Sequence, residues 1–465
     1  MTDSDFTAMM RAARAAIDYR RRIATAETTP AATYAEILPA FDTPLPEQGG
    51  EADAIIAELI ERAAPGIRAS TGPRFYGWVI GSSHPTGVAA DWLTAAWGQN
   101  AANVVAAPAA SAVEAVAARW LLDLLGLPGE ASVGFVTGAT VANFVCLAAA
   151  RSEVLRRVGW DVEGDGMFGA PAIDVLIGAD AHATVFSGLK YLGLGAKRVT
   201  TIATDAAGRM LSAAFEAALQ AASGPVIAIA QAGQINSGVS DPFAEIAPMA
   251  RAAGAWLHVD GAFGLWAQAC PSRAHLTRGV ELADSWATDG HKWLQTPYDS
   301  GFAIVRDAEA HRRAMAIAAS YLPPAADTER DPSAYVPELS RRARGFSTWA
   351  MIRQLGRDGI AEMVERGCRV ATRIADRVGH EPGVTMVLAP ELNQAMFRFG
   401  DDDSATIATI QRVQDDAVAW IGGAEWHGQW VMRVSVSSSA TTEADADLTA
   451  EAIVSAWRAV RENIA

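Results

Sequence analysis

The chain is short of cysteine, short of basic residues relative to acidic ones, and free of long apolar runs, and each shortage removes a class of protein. Its three cysteines, Cys146, Cys270 and Cys368, are widely spaced and form no CxxC pair. A disulfide framework and a thiolate metal site are both unsupported, so all three read as small core residues and no metal is expected. Lysine and arginine number 38 against 53 aspartates and glutamates, a formal charge of −15. That charge repels phosphate backbones and anionic lipid headgroups, so neither nucleic acid nor a membrane is an expected partner. No stretch of about 18 apolar residues occurs. The amino terminus MTDSDFTAMMRAARAAIDYRRR lacks the basic n-region and apolar h-region of a secretory signal. A cytoplasmic address is the expectation. Repeats of solenoid period are missing, as are low-complexity tracts beyond alanine-rich helices.

What is present is ample core material: half of the 465 residues are hydrophobic and 20% are charged. A chain this long exceeds what one core usually serves, which predicts a large central unit with smaller ones around it. Residues 4–22 and 51–64 carry apolar side chains at spacings of three and four, an amphipathic arm whose second piece stops at Pro-Gly. The proline-rich residues 30–46 between them read as extended connector. From about residue 85, apolar strands alternate with helical segments: VGFVT, IDVLIGAD and PVIAIAQAG each precede a helical pattern, and AWLHVDG closes the series. The expected fold is α/β, a mostly parallel sheet with flanking helices, in which ligands gather at the carboxyl ends of the strands. Beyond Trp349 a long helical stretch, broken near Gly356 and Gly359, leads to shorter strands and two more helices, a smaller α+β unit. The expected division is an arm at 1–85, a large domain at 86–350 and a small carboxyl-terminal domain at 351–465.

Chemistry concentrates after those strands. In ADSWATDGHKWLQTP, Lys292 follows an apolar strand and precedes Trp293 and Leu294. A lysine in such company loses hydration, which favours the neutral nucleophile that forms an imine with an aldehyde. Alone it would read as a side chain snorkelling from a loop. Asp260, at the end of AWLHVD, is a carboxylate in an apolar strand and needs a cation. A protonated pyridine nitrogen of pyridoxal 5′-phosphate (PLP) is such a cation, and that protonation makes the ring an electron sink. His182, just past IDVLIGAD, is either a hydrogen-bonded helix-start histidine or an imidazole stacked on that ring. The TGAT turn at Thr137, Gly138, Ala139 and Thr140 opens a helix and offers N–H groups to a phosphate, or is a plain capped helix start. Asn236 and Ser237 lie in a fourth loop after an apolar strand.

Together these segments resemble the group II PLP-dependent amino-acid decarboxylases, most of all the aromatic branch. The likeness covers essentially the whole chain: DYRRRI, GPRFYGWVIGSSHPTGVAADWL, APAASAVEAVAARWLLDLLGLP, HVDGAFG, GVELADSWATDGHKW and RRARGFSTW. It implies the aspartate-aminotransferase-like fold and PLP as cofactor. Lys292 takes the imine, Asp260 faces the pyridine nitrogen, and His182 is the stacking and catalytic histidine. Ala139 and Thr140 match the phosphate turn, His291 matches the histidine before the lysine, and Ala262 matches the small residue under the ring. Asp289 stands where many members have an asparagine near the phosphate, and Val141 where a glutamate is common. Tyr335 resembles the mobile-loop tyrosine that returns a proton to carbon, though it lies closer to RRARG than in the animal enzymes. Phe75, Trp78, Val79 and Ile80 match the substrate-contacting stretch. Their apolar character and lack of a cation point to an aromatic or apolar L-amino acid substrate. The resemblance further implies a homodimer with crossing arms. The implied reaction is decarboxylation to an amine. Aldehyde synthesis, transamination and side-chain cleavage remain open on the same scaffold, and a silent PLP-binding homologue is the reading of another class.

Overall fold

A computed structural model describes residues 3–317 and 330–464. The arm begins with the helix Asp3–Arg22, of which only Ala8 is buried, and continues into Ala52–Ala63. Between them the chain is not a plain connector. Residues Tyr34–Phe41 form a helix whose start is fixed by a reciprocal capping box between Thr33 and Glu36. The prolines that suggested extension sit outside it, except Pro39 near its end; the local signal that wins is Thr33 followed three residues later by Glu36.

Among the described residues, seven strands build the main sheet: β1 (Ser132–Val136), β2 (Asp174–Gly178), β3 (Val199–Ile202), β4 (Val226–Gln231), β5 (Trp256–Asp260), β6 (Ser285–Asp289) and β7 (Gly301–Val305). Their spatial order is β1-β7-β6-β5-β4-β2-β3. β7 runs antiparallel to both β1 and β6, and every other pairing is parallel. β1, β4, β5, β6 and β7 are buried at every position. That is the pattern of a sheet covered on both faces, and it follows from runs such as VIAIAQ and GFAIV. Separate apolar clusters fill the two faces, one around Leu121, Phe135, Phe243 and Trp266, the other around Val145, Leu147, Ile177 and Ile229.

A long helix, Gly345–Gly379, leaves this sheet and bends where Gly356 takes a positive φ of 62°. Of the two glycines at which the sequence suggested a break, only Gly356 supplies one. The helix leads to a four-stranded antiparallel sheet of β8 (Val384–Leu388), β9 (Gln394–Phe399), β10 (Gly422–Trp426) and β11 (Gln429–Ser435). β10, which is half exposed and lacks an apolar run, was not evident from the sequence. No described helix is long and apolar enough to cross a membrane.

Because β1, β2, β4, β5 and β6 all point the same way, their carboxyl ends form one edge of the sheet. The TGAT turn, His182, Asn236, Asp260 and Lys292 lie at or just after those ends. The topology, not proximity in sequence, assembles the site.

Candidate active site

Lys292 lies three residues past β6, and its Nζ is 3.0 Å from Asp289 Oδ2. The loop holds this place because Gly81, at φ 72°, packs against it: a Cβ there would run into the His291 carbonyl and Lys292 Cα. Only glycine combines that dihedral with so close an approach. The Phe263 ring is 5.9 Å from Nζ.

Asp289 holds more than the lysine. Its Oδ1 accepts the Ala139 N–H at 2.6 Å and lies 3.6 Å from His291 Nε2. The helix Ala139–Arg157 starts at Gly138 with no side-chain cap. A carboxylate therefore occupies the anion position that the helix end creates. Thr140, one residue on, is partly exposed at the same turn.

Asp260 is buried at the end of β5, and accepts the Ala262 N–H at 3.2 Å and an Asn143 amide N–H at 3.2 Å. Burial pushes its carboxyl up, against the opposing pull of His182, Lys292 and these donors. His182 faces it across a small cavity lined also by Ala181, Gln231 and Asp241. Burial is likewise the main force holding the His182 imidazole below its ordinary value, and the Asp260 charge resists it. The two histidine readings prove compatible. His182 caps the helix Ala183–Tyr191 through Nδ1, which accepts the Thr184 N–H and is 2.8 Å from its Oγ1. The cap thus engages Nδ1 and not Nε2.

His291 is buried, which lowers its basicity, and its ring lies 4.4 Å from that of Tyr298. The Tyr298 hydroxyl donates to the Ile80 carbonyl at 2.5 Å, tying Ile80 to the lysine loop. The rest of that stretch is dispersed. Phe75 stacks on Trp420 with centroids 5.0 Å apart, Trp78 tilts against the same indole and is 53% exposed, and Val79 is buried in the main core. Among the described residues, no ring contact, hydrogen bond or ion pair joins Phe75, Trp78 or Val79 to Lys292.

Tyr335 is also held elsewhere. It ends a single 3-10 turn, Pro332–Tyr335, whose carbonyl accepts from His311 Nε2 at 2.9 Å. Its ring packs under the Arg330 guanidinium and edge-on to His311, whose Nδ1 bonds Ser132 at the opposite end of β1 from the TGAT turn. Within one chain this phenol is not part of the cluster.

Several groups at the site were missed by sequence reasoning. Asn236 Oδ1 accepts from Arg433 Nη1 at 2.9 Å, and Arg433 comes from β11. This guanidinium is buried and no carboxylate pairs with it among the described residues. Burial lowers it only to about 10, so it stays charged, and its charge bears on His182. Residues 75–80 hold no cation; the cation arrives from the small sheet. An arginine in the apolar run VMRVSVS was the available signal. His258, two residues before Asp260, shares its strand face, which period-two alternation would have revealed. Asn143 carried no signal in one dimension.

The residues fit a phosphorylated aldehyde cofactor with a ring nitrogen. An amine stands beside a helix start whose Ala139 N–H already meets an anion, a buried carboxylate lies within its electrostatic reach, and the buried His291 Nδ1, Thr296 Oγ1 and Ser300 Oγ have no hydrogen-bond partner among the described residues. Comparison with known proteins agrees. The pyridoxal-dependent decarboxylase conserved domain matches residues 35–400. The 4-hydroxyphenylacetaldehyde synthase of Rhodiola rosea is 26% identical over 439 residues, 90% of this chain and 86% of that protein. The aromatic-L-amino-acid decarboxylase of Bacillus atrophaeus is 26% identical over 384 residues, covering 80% and 77%. Among solved structures, Oryza sativa TDC with PLP and tryptamine superposes with a TM-score of 0.91 at 23% identity, covering 99% of each chain.

Proposed function

We propose, for a chain that belongs to the pyridoxal-dependent decarboxylase family, that its reaction is removal of the carboxylate of an L-amino acid to give an amine and carbon dioxide. The observation that carries this reading is the convergence of Lys292, Asp260 and His182 on one sheet edge, an amine 3.0 Å from the Asp289 carboxylate and within electrostatic reach of buried Asp260, beside an imidazole whose charged form burial disfavours.

PLP, when bound, supplies a carbonyl that takes up an amine and a ring that accepts the electrons left by carbon dioxide. The protein's part is orientation and proton placement. Lys292 would carry the cofactor, Asp260 would keep its ring nitrogen charged, and the start of the helix Ala139–Arg157 would hold its phosphate with Asp289, Thr140 and His291 nearby. Ala262 places Asp260 through its own N–H. Arg433 offers a fixed cation for a substrate carboxylate. Ile80 and the aromatic side chains nearby favour an aromatic or apolar substrate. His182, through Nε2, and His291 are the groups placed to move a proton.

The placement of Tyr335 favours a second outcome on the same site. Without a phenol to return the proton to carbon, dioxygen would take up the electron pair left by carbon dioxide and become peroxide, and water would release aldehyde and ammonia; one relative is a 4-hydroxyphenylacetaldehyde synthase. The deciding experiment incubates the purified protein with aromatic L-amino acids and measures amine, carbon dioxide, ammonia and peroxide separately. Amine equal to carbon dioxide supports decarboxylation, and ammonia with peroxide in place of amine overturns it. The arm exposes Phe6, Met9, Met10 and Ile17, which supports pairing with a second copy. Light scattering that returns a monomer refutes that pairing.

A further inference from the structure

Behind Asp260 a line of buried hydrogen bonds runs through four side chains. Trp256 Nε1 donates to Ser285 Oγ at 2.9 Å, and Ser285 Oγ meets His258 Nδ1 at 2.9 Å. His258 Nε2 meets Asn143 Oδ1 at 2.9 Å, and Asn143 Nδ2 donates to Asp260 Oδ2 at 3.2 Å. The register of β5 on β6 sets Ser285 beside His258. Asn143, His258 and Ser285 are wholly buried, and Trp256 is 1% exposed.

Chemistry at the Asp260 end orders the bonds. A carboxylate only accepts, which requires the Asn143 amide nitrogen, not its oxygen, to face Asp260. Asn143 Oδ1 then faces His258 and receives a proton from Nε2, so the single proton of a neutral imidazole sits on Nε2 and Nδ1 accepts from the Ser285 hydroxyl. An indole N–H only donates, and Ser285 Oγ takes the Trp256 N–H on a remaining lone pair. Reversing His258 to its other tautomer would set a bare Nε2 against a carbonyl oxygen in a dry interior, which is costly. Burial is the main force that keeps His258 down at about 3, so it is neutral across the working range.

We propose that His258 and Asn143 are positioning residues that present a donor of fixed polarity to Asp260 Oδ2, keeping that carboxylate charged and aimed for the cofactor's ring nitrogen. The inference rests on the reading of Asp260 given above. The groups facing Asp260 from other elements are His182, Lys292 and the Ala262 N–H, and none of them reproduces the Asn143 donor. Bonds of this kind to a charged group are worth roughly a factor of ten in an equilibrium.

The test measures how tightly the apoprotein binds PLP and its carba analogue, in which CH replaces the pyridine nitrogen. The ratio of the two dissociation constants reports the nitrogen's partner and is blind to general damage. Wild type should prefer PLP. His258→Phe and Asn143→Leu should each narrow the preference about tenfold, while His258→Gln, which keeps a donor at the Nε2 position, should retain most of it. If both disruptive variants weaken the two ligands equally, the proposal is overturned. Should His258→Phe fail to fold, Asn143→Leu against His258→Gln decides the question alone. Asp260→Asn separates this idea from its parent: a narrowed preference there with none in the relay variants sinks only the relay. An unchanged preference in Asp260→Asn, with no borohydride-stable attachment to Lys292, sinks the parent reading.

Discussion

Asp289 Oδ2 lies 3.0 Å from Lys292 Nζ while its Oδ1 takes the Ala139 amide at 2.6 Å, so one carboxylate spans the amine and the helix start. A phosphate seeking that helix end meets a negative charge already there. Like charges a few ångströms apart near a protein surface repel by a few kcal/mol at most. Asp289→Asn keeps the shape and an acceptor for Ala139 while removing the repulsion. Its apoprotein should bind PLP roughly three- to tenfold more tightly, as read by fluorescence titration. Weaker binding would mean the carboxylate is needed to hold Lys292.

Much of this edge of the sheet could be read in the sequence, because apolar strands ending in Asp260, or just before His182 and Lys292, combine a strong strand signal with polar residues that such strands rarely keep. The residues that escaped are those whose partners are remote. Asn143 meets His258 across 115 positions, and Arg433 meets Asn236 across 197. Tyr335 is the opposite case. Resemblance put it in the site despite a short spacing to RRARG, whereas within one chain it lies against Gly134 in the middle of β1, where its carbonyl is held by His311. The capping box at Thr33 was local and legible, and the surrounding prolines masked it.

Arg433 gives a kinetic prediction. A buried guanidinium whose Nε has no partner among the described residues retains capacity for an anion. Arg433→Gln should raise KM for the amino acid about tenfold or more, with PLP affinity within about twofold of wild type. Arg433→Lys should recover part of the loss. A fall in Tm with KM untouched would reduce the residue to a packing role.

Gly81 makes a steric prediction. Its positive φ and its contact with the His291–Lys292 backbone leave no space for a methyl group. Gly81→Ala should displace the lysine loop and cut the fraction of protein that borohydride fixes to PLP by at least half, while the far-UV circular dichroism stays native. The chain has three lysines, Lys190, Lys197 and Lys292, so peptide mapping assigns the attachment without ambiguity. Full labelling of the variant would show that the loop can yield.

His311 tests the electrostatics of the core away from the site. Its Nε2 donates to the Tyr335 carbonyl and its Nδ1 accepts from Ser132, both within a wholly buried pocket. Burial, helped by Arg330, holds the imidazole at about 3, against 6.5 in the unfolded chain. The folded state therefore refuses a proton that the unfolded state accepts. Its contribution to stability is complete above pH 6.5 and declines as pH falls toward 3, by about 1.4 kcal/mol per pH unit. His258 acts in the same sense. Asp241, raised to about 6 by burial, acts oppositely between pH 3.8 and 6, because there the folded state holds the extra proton. The clean quantity is thus a difference between proteins. His311→Gln keeps the donor to Tyr335 and cannot titrate, so its denaturant-derived stability should fall less steeply than wild type below pH 6.5, by close to one proton. Parallel slopes would mean that His311 is protonated in the folded protein, or that its pocket admits water.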